Sequence, residues 1–184
     1  MFFMGVMMLG TLSAQPGKVY KSIEEVNNPD DVYILDLKWK RLRSVPPEVF
    51  TYKNLRVLNL SRNRIDTLPP EIAQLQQLEV LNMGRNVLRH LPMELALLSH
   101  LKELDVSRNP LMDLPESMAY LSSLESLVLW STAIYQLPES FSELDSSLRV
   151  LDLRSCQLSI TDQEAIRQML PSVKILWDQA CNCR

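Results

Sequence analysis

The chain has 184 residues, of which 46% are hydrophobic and 22% are charged. This length and composition are typical of one soluble domain with a single buried core, and they exclude a disordered chain. The formal net charge of -3 gives no overall positive field, so we expect no nucleic acid partner.

Residues 1–14 predict an export signal that is removed from the mature protein. An uncharged apolar run starts at Met1, is too short to span a bilayer, and ends in the small residues Ser13 and Ala14. No Lys or Arg precedes the run, and Leu12 stands where a small residue is preferred before the cut. The alternative is a buried N-terminal segment of a cytoplasmic protein. After processing, we expect no direct insertion into a membrane.

Residues 15–31 predict a segment that covers the open N-terminal edge of the core. Ser22 precedes Glu25 by three residues, which is the spacing of a capping box at the start of a short helix.

Residues 32–172 repeat one plan in about six units. The successive starts are separated by 23, 23, 23, 23, 24 and 25 residues. They fall at Val32, Leu55, Leu78, Leu101, Leu124, Leu148 and, for a closing segment, Val173. A period in this range predicts a solenoid.

The spacing inside a unit predicts its local structure. Inward Leu58 and Leu60 alternate with outward Val57 and Asn59, which is the period of a short strand. A Leu-Pro pair then ends the extended segment and starts a short helical or extended segment on the other side. In three units an Asn follows the strand, where its amide can satisfy backbone groups of neighbouring turns, and we predict a structural role for Asn63, Asn86 and Asn109.

No unit can bury its leucines alone, because each has one strand and no opposing layer. Stacking of the units supplies that layer. The chain therefore predicts an α/β fold, a right-handed solenoid with a concave parallel β-sheet and short helices or turns on the convex side.

The repeated pattern LxxLxLxxNxLxxLPxxLxxLxx resembles that of leucine-rich repeat proteins over residues 32 to about 178. It is most similar to the subclass with a Leu-Pro pair in each unit, found in bacterial repeat proteins, plant Ras-group repeats and animal Ras-pathway scaffolds. The resemblance implies a scaffold that binds other molecules, without naming them.

The C-terminal units predict a second cap, so that the solenoid is capped at both ends. Thr161 and Glu164 have capping-box spacing, and the helix that they begin should run through Leu170 and end before Pro171. Residues 173–184 then predict a closing strand and a Cys-containing tail.

The three cysteines predict no metal site. Cys156 occupies the Asn position of its unit, where leucine-rich repeat proteins often carry Cys, so we interpret it as structural. Cys181 and Cys183 lie in the tail, without the further ligands that a metal requires, and we expect them to be unpaired or locally bridged.

The sequence contains no enzyme signature, and we predict no catalysis and no cofactor. It has no Gly-rich phosphate loop, no GxSxG motif and no zinc motif. Asp36 and Asp105 share a repeat offset but lie three strands apart, about 15 Å, which is too far for a working carboxylate pair.

The exposed columns of the concave sheet form the candidate partner-binding site. Trp and Arg are the side chains most enriched at binding hot spots. One column is acidic or amide-bearing, with Asp36, Asn59, Asn82, Asp105 and Asp152, and is predicted to end at Trp177. The neighbouring columns carry Trp39, Arg62, Arg85, Arg108, Trp130 and Arg154. In the alternative, the arginines only pair with Asp105 and Glu103 to keep the sheet soluble, and Trp39 and Trp177 only cap the end units.

We predict a monomeric, non-catalytic module that recognises a protein or peptide on its concave face and is exported. Its leader and small Leu-Pro repeats resemble those of exported bacterial proteins, which places it in the periplasm, at the cell surface or outside the cell. Two alternatives remain open, namely a cytoplasmic signalling scaffold or regulator, and a surface glycan-binding or adhesion protein in which Trp130 stacks on sugar rings.

Overall fold

A computed structural model describes residues 17–178 as one parallel sheet with turns on its other side. Its eight strands pair in chain order, each with the next. They are β1 (Val19–Tyr20), β2 (Ile34–Asp36), β3 (Val57–Asn59), β4 (Val80–Asn82), β5 (Glu103–Asp105), β6 (Ser126–Val128), β7 (Val150–Asp152) and β8 (Lys174–Leu176). The predicted fold class, a leucine-rich repeat solenoid with a parallel sheet, is confirmed.

The convex side is built from short 3-10 helices, and the Leu-Pro pairs place them. In four of the units, the Pro of the Leu-Pro pair is the N-cap residue, as Pro69 is for Pro70–Gln74, because its fixed φ suits the entry to a helix and its missing N–H is not needed there. The 3-10 helices are Ile23–Glu25, Pro29–Asp31, Pro47–Thr51, Pro70–Gln74, Met93–Leu97, Glu116–Tyr120 and Glu139–Ser146.

The core is a stack of leucines from equivalent positions of successive units. Leu58, Leu81, Leu104 and Leu127 are paired across the sheet in register, and each is at most 1% exposed. The exact pairing of identical positions keeps the whole apolar set on the inner face, because a slip of one residue would turn it outward.

The buried Asn side chains tie each turn to the one before it. The amide nitrogen of Asn86 donates to the carbonyls of Met83 in its own unit (2.8 Å) and of Leu60 in the preceding unit (3.0 Å). Its carbonyl oxygen accepts from the backbone N–H of Ile65 at 3.0 Å. Asn63 and Asn109 make equivalent hydrogen bonds.

The buried ladder changes character after Asn109. Thr132 occupies the next position, and its hydroxyl donates to the carbonyl of Leu129 in its own unit at 2.8 Å. The thiol of Cys156 donates to the same carbonyl at 3.3 Å, so it again reaches back to the preceding unit. Among residues 17–178, Thr132 thus stands at the one ladder position between Asn63 and Cys156 whose side chain makes no hydrogen bond to the preceding unit. Burial is the main cause that raises the pKa of the Cys156 thiol.

Charged side chains alternate in sign along the edge where the strands begin. Glu79 accepts from Arg56 (3.4 Å) on one side and from Lys102 (2.7 Å) on the other, and Glu125 pairs with Arg149 at 3.4 Å. Each of these pairs joins neighbouring units at the same repeat offset. The pair of Glu125 with Arg149 is exposed on both sides and contributes about 0–1 kcal/mol, whereas the Glu79 carboxylate is mostly buried between its two partners.

The caps differ in detail from the sequence-based predictions. The capping box predicted from Ser22 and Glu25 is wrong, because this segment makes only the 3-10 turn Ile23–Glu25, without a side-chain cap, and the Glu25 carboxylate accepts from the backbone N–H of Lys21 instead. The second capping box lies two residues before the predicted Thr161 and Glu164. Ser159 and Asp162 form it, because Ser159 is the last extended residue before α1 (Ile160–Met169).

The register of the last strand also corrects the repeat alignment. Val150 pairs with Lys174 and Asp152 with Leu176, so the last separation is 24 residues and not 25. Trp177 therefore lies outside the predicted column. Its half-buried ring packs against the core, with the Arg167 guanidinium 5.4 Å from the ring centroid. The export signal predicted for residues 1–14 and the tail cysteines Cys181 and Cys183 lie outside the described residues.

We expect Asn86→Ala to lower the free energy of unfolding by about 3 kcal/mol, since it leaves two carbonyls and one N–H without their buried partner. Chemical denaturation followed by circular dichroism measures this change. Asn82→Ala in the same unit is the matched control, because among residues 17–178 the half-buried Asn82 side chain accepts only from the backbone N–H of Gly84. Equal losses in the two variants would contradict the ladder argument.

Candidate binding face

The acidic and amide column caps the ends of the strands. In Asn59, Asn82 and Asp105, a side-chain oxygen accepts from the backbone N–H two residues further on, at 2.9 to 3.0 Å. This is the geometry of an Asx turn, which satisfies the N–H where the chain leaves the sheet. The repeat spacing does not predict this role, although an Asp or Asn two residues before a turn is the usual sequence signal for it. Asp36 and Asp152 make the same hydrogen bond at 3.2 Å.

The arginine column lies in left-handed turns just after the strands, and not in the strands as the sequence suggested. Arg62, Arg85 and Arg108 have φ values of 58°, 59° and 54°. Their N–H groups still pair with the next unit, as the N–H of Arg85 does with the carbonyl of Ser107 at 2.8 Å. Such φ values cost non-glycine residues conformational energy, and no described glycine occupies them. The same turn is made at Trp39, Ser131 and Ser155.

Two Trp rings on this face are stacked with arginines. The Arg62 guanidinium lies 4.8 Å from the ring centroid of Trp39, and that of Arg108 lies 4.2 Å from the centroid of Trp130. Cation–π contacts of this kind contribute about 0.5–1 kcal/mol at exposed sites and hold both side chains in one orientation. Trp39 is 64% exposed. Trp130, which the sequence predicted to be exposed, is half-buried between its neighbours.

Arg154 is held differently from the three arginines of the left-handed turns. Its guanidinium donates twice to the Asp152 carboxylate, at 2.9 and 2.6 Å, and lies 5.9 Å from the centroid of Trp130. This hydrogen bond is the main cause that raises the pKa of Arg154. The Arg154 guanidinium is therefore already paired with the Asp152 carboxylate before any partner binds.

Arg85 stands between the two stacks without an acidic partner. The pairs with Asp105 and Glu103 considered as the alternative are not formed, because the ion pairs among residues 17–178 include none with Arg62, Arg85 or Arg108. Burial and then the positive charges of Arg108 and Arg62 lower the pKa of Arg85. The three guanidiniums form a row of positive charge, which we call the arginine row.

The surface beside the arginine row carries only small side chains in three successive units. Ser61, Gly84 and Ser107 occupy the position of three successive units at which Trp130 stands in the next one. A Cβ atom at Gly84 would lie 3.1 Å from the Ser107 hydroxyl oxygen and 3.2 Å from a carboxylate oxygen of Asp105, so a larger residue there would displace its neighbours. The Trp39 and Trp130 rings thus stand at the two ends of a floor made of small side chains.

The comparisons with known proteins agree with this architecture. The family model described as Leucine rich repeat matches residues 31–88 and 54–111, and a second model of the same description matches residues 147–169. A search of curated proteins found no significant match. Among residues 17–178, no helix is long and apolar enough to cross a membrane.

Three solved structures illustrate the likeness. A leucine-rich repeat protein of Leptospira interrogans is 29% identical, with a TM-score of 0.73 over 89% of this chain and 47% of that one. An internalin of Listeria monocytogenes is 25% identical, with a TM-score of 0.69 over 80% of this chain and 41% of that one. The ectodomain of the Arabidopsis thaliana receptor kinase GASSHO1/SCHENGEN3, in complex with CASPARIAN STRIP INTEGRITY FACTOR 2, is 25% identical, with a TM-score of 0.61 over 70% of this chain and 16% of that one.

This chain spans less than half of the length of each of these proteins. The family matches, the repeat register and the Asn ladder lead to one conclusion. The chain belongs to the leucine-rich repeat family.

Proposed function

We propose that this chain is a non-catalytic, exported recognition module that binds a protein or peptide on the concave face. The observation that carries the proposal is the pair of stacks, Arg62 on Trp39 and Arg108 on Trp130, at the two ends of a floor of small side chains. Trp and Arg held in fixed orientations lose little further freedom on binding, so they suit the anchors of an interface.

The comparisons support the protein-binding class and the export. Leucine-rich repeat domains commonly mediate protein recognition, and one of the similar structures is a receptor ectodomain in complex with a second molecule. In this proposal the solenoid is a monomer, because its concave sheet needs to be open to a partner. It uses no cofactor and no metal.

We expect Trp39→Ala combined with Ser61→Trp to abolish capture of the partner. The first change removes an anchor, and the second fills the floor with a ring that the fold accepts at the equivalent position, Trp130. The measurement is cross-linking from fractions of the source organism with the wild-type and variant chains as baits, read out by mass spectrometry.

The control for this experiment is Tyr120→Ala, which removes an aromatic side chain that is 77% exposed on the convex side. A protein enriched by the wild type and by this control, but not by the double variant, supports the concave face. Equal recovery by all three baits would reject it. A captured partner that still binds after protease treatment would favour the glycan-binding alternative.

Trp130→Ala should lower the free energy of unfolding by about 2 kcal/mol, because the ring is half-buried and stacked on arginine. Trp39→Ala should lower the free energy of unfolding by less than about 1 kcal/mol, because the Trp39 side chain is mostly exposed. Thermal unfolding of the two single variants tests this order, and the reverse order would contradict the assigned burial. Capture experiments with Trp130 variants therefore need a stability measurement beside them.

For the export, we expect the mature protein to begin at Gln15 after a cut behind Ala14. Mass spectrometry of the N-terminal peptide, from protein expressed with its own N-terminus in the source organism, tests this. A retained Met1 in a cytoplasmic fraction would favour the alternative of a cytoplasmic scaffold or regulator.

A further inference from the structure

The arginine row carries positive charge that the described chain does not neutralise. Other basic side chains of the sheet have carboxylate partners, as Arg56 and Lys102 do with Glu79 and Arg154 does with Asp152. Arg62, Arg85 and Arg108 have no such ion pair among residues 17–178, and the pKa of Arg85 is lowered by burial and by its two neighbours. Three like charges brought together in this way destabilise the free protein slightly, and an anion would relieve that repulsion.

The fold does not require arginine at these positions. The same left-handed turn is made by Ser131 and Ser155 in the units that follow, with φ values of 57° and 54°. Glycine would adopt this conformation at the lowest cost. Within residues 17–178, the guanidinium of Arg85 also makes no stacking or ion-pair contact that would explain it as a structural group. Its side chain is therefore free to serve a ligand.

The dimensions of the row fit an extended peptide that runs across the strands. Neighbouring parallel strands lie about 4.8 Å apart, so Arg62 and Arg108 are about 10 Å apart, which is the length of about three extended residues. Trp39 and Trp130 belong to units four strands apart, about 19 Å, which corresponds to about six residues.

We propose that the ligand of the concave face is an acidic, extended peptide segment, whose Asp or Glu side chains pair with Arg62, Arg85 and Arg108. This rests on the proposed concave-face recognition and names its chemical class. Guanidinium and carboxylate groups match in a two-pronged geometry, which makes arginine suited to select a carboxylate. The net charge of the chain, -3, disfavours a polyanion that would follow the surface beyond this row.

The test measures fluorescence anisotropy with labelled peptides of about ten residues, enough to cross the face. One peptide alternates Ser with Glu, and the matched peptide alternates Ser with Gln. We expect the Glu peptide to bind at least about tenfold more tightly at low salt, and its affinity to fall as salt is added, because the interaction is between exposed charges.

Three variants locate the binding. Arg85→Gln should weaken binding of the Glu peptide by about 3–10-fold, the range expected for one charge-assisted contact. Arg89→Gln, an exposed arginine of the same unit four residues away, has the same charge change and should leave the affinity unchanged. Arg85→Gly should lose binding to the same degree while its unfolding midpoint stays equal or rises, because glycine suits the left-handed turn.

Equal affinity for the Glu and Gln peptides would overturn the proposal, and so would an equal loss in the Arg85→Gln and Arg89→Gln variants. A single-stranded thymidine oligonucleotide of the same charge is the second comparison. If it binds more tightly than the Glu peptide, the arginine row is a phosphate site and the proposal is overturned. If the Glu peptide does not bind but the Trp39→Ala and Ser61→Trp double variant loses partner capture, concave-face recognition is retained. Only the acidic class of ligand is then rejected.

Discussion

The side-chain amide that reaches from one turn of the chain to the turn before it is the interaction on which the rest of the structure depends. A 23-residue unit buries its leucines only against neighbours, and it has to turn out of the sheet within a few residues. The carbonyls and N–H groups of that turn would be buried without partners if Asn63, Asn86 and Asn109 did not bond to them. Because the amide satisfies groups of two units at once, it also fixes the distance and rotation between them.

This fixed geometry explains why the candidate site is a set of columns. Any side chain that follows a strand is copied to the same place in the next unit, one strand spacing away. The Asx turn and the left-handed residue are part of that copied geometry, so the arginines reach the surface from rigid backbone. A pre-ordered surface loses less entropy when it binds, which favours recognition by rows of equivalent contacts over recognition by one deep pocket.

Much of the fold could be predicted from the sequence because the same residue pattern recurs in several successive units. The 23-residue period, the buried leucines such as Leu58 and Leu81, and the Leu-Pro pairs each follow from local physical rules. The cap at the C-terminal end was harder to predict. Ser159 and Thr161 both satisfy the spacing of a capping box, and tertiary packing of the helix decides between them. The shift of one residue at Trp177 has the same origin, since the last strand follows a helix whose exact length the sequence leaves open.

The candidate face was only partly predictable. Spacing placed its columns beside the sheet, but not the left-handed backbone of Arg85, because the expected signal for such a turn is glycine and the chain has only four. The half-burial of Trp130 depends on how Arg108 and Arg154 close around the ring, which three-dimensional packing determines. The identity of a partner is not encoded in the period at all, because the repeat specifies the scaffold and leaves the outward residues unconstrained.

The replacement of Asn by Thr132 has a consequence for the motions of the molecule. Between β5 and β6, the buried ladder lacks the side-chain hydrogen bond to the preceding unit, so this junction depends on the strand pairing and on packing. In a linear array, local opening starts where the coupling between neighbours is weakest, and amide hydrogen exchange should therefore divide the chain into two cooperative blocks there. The stack of Arg108 on Trp130 crosses this same junction. A ligand that engages both side chains would join the two blocks and slow their exchange together.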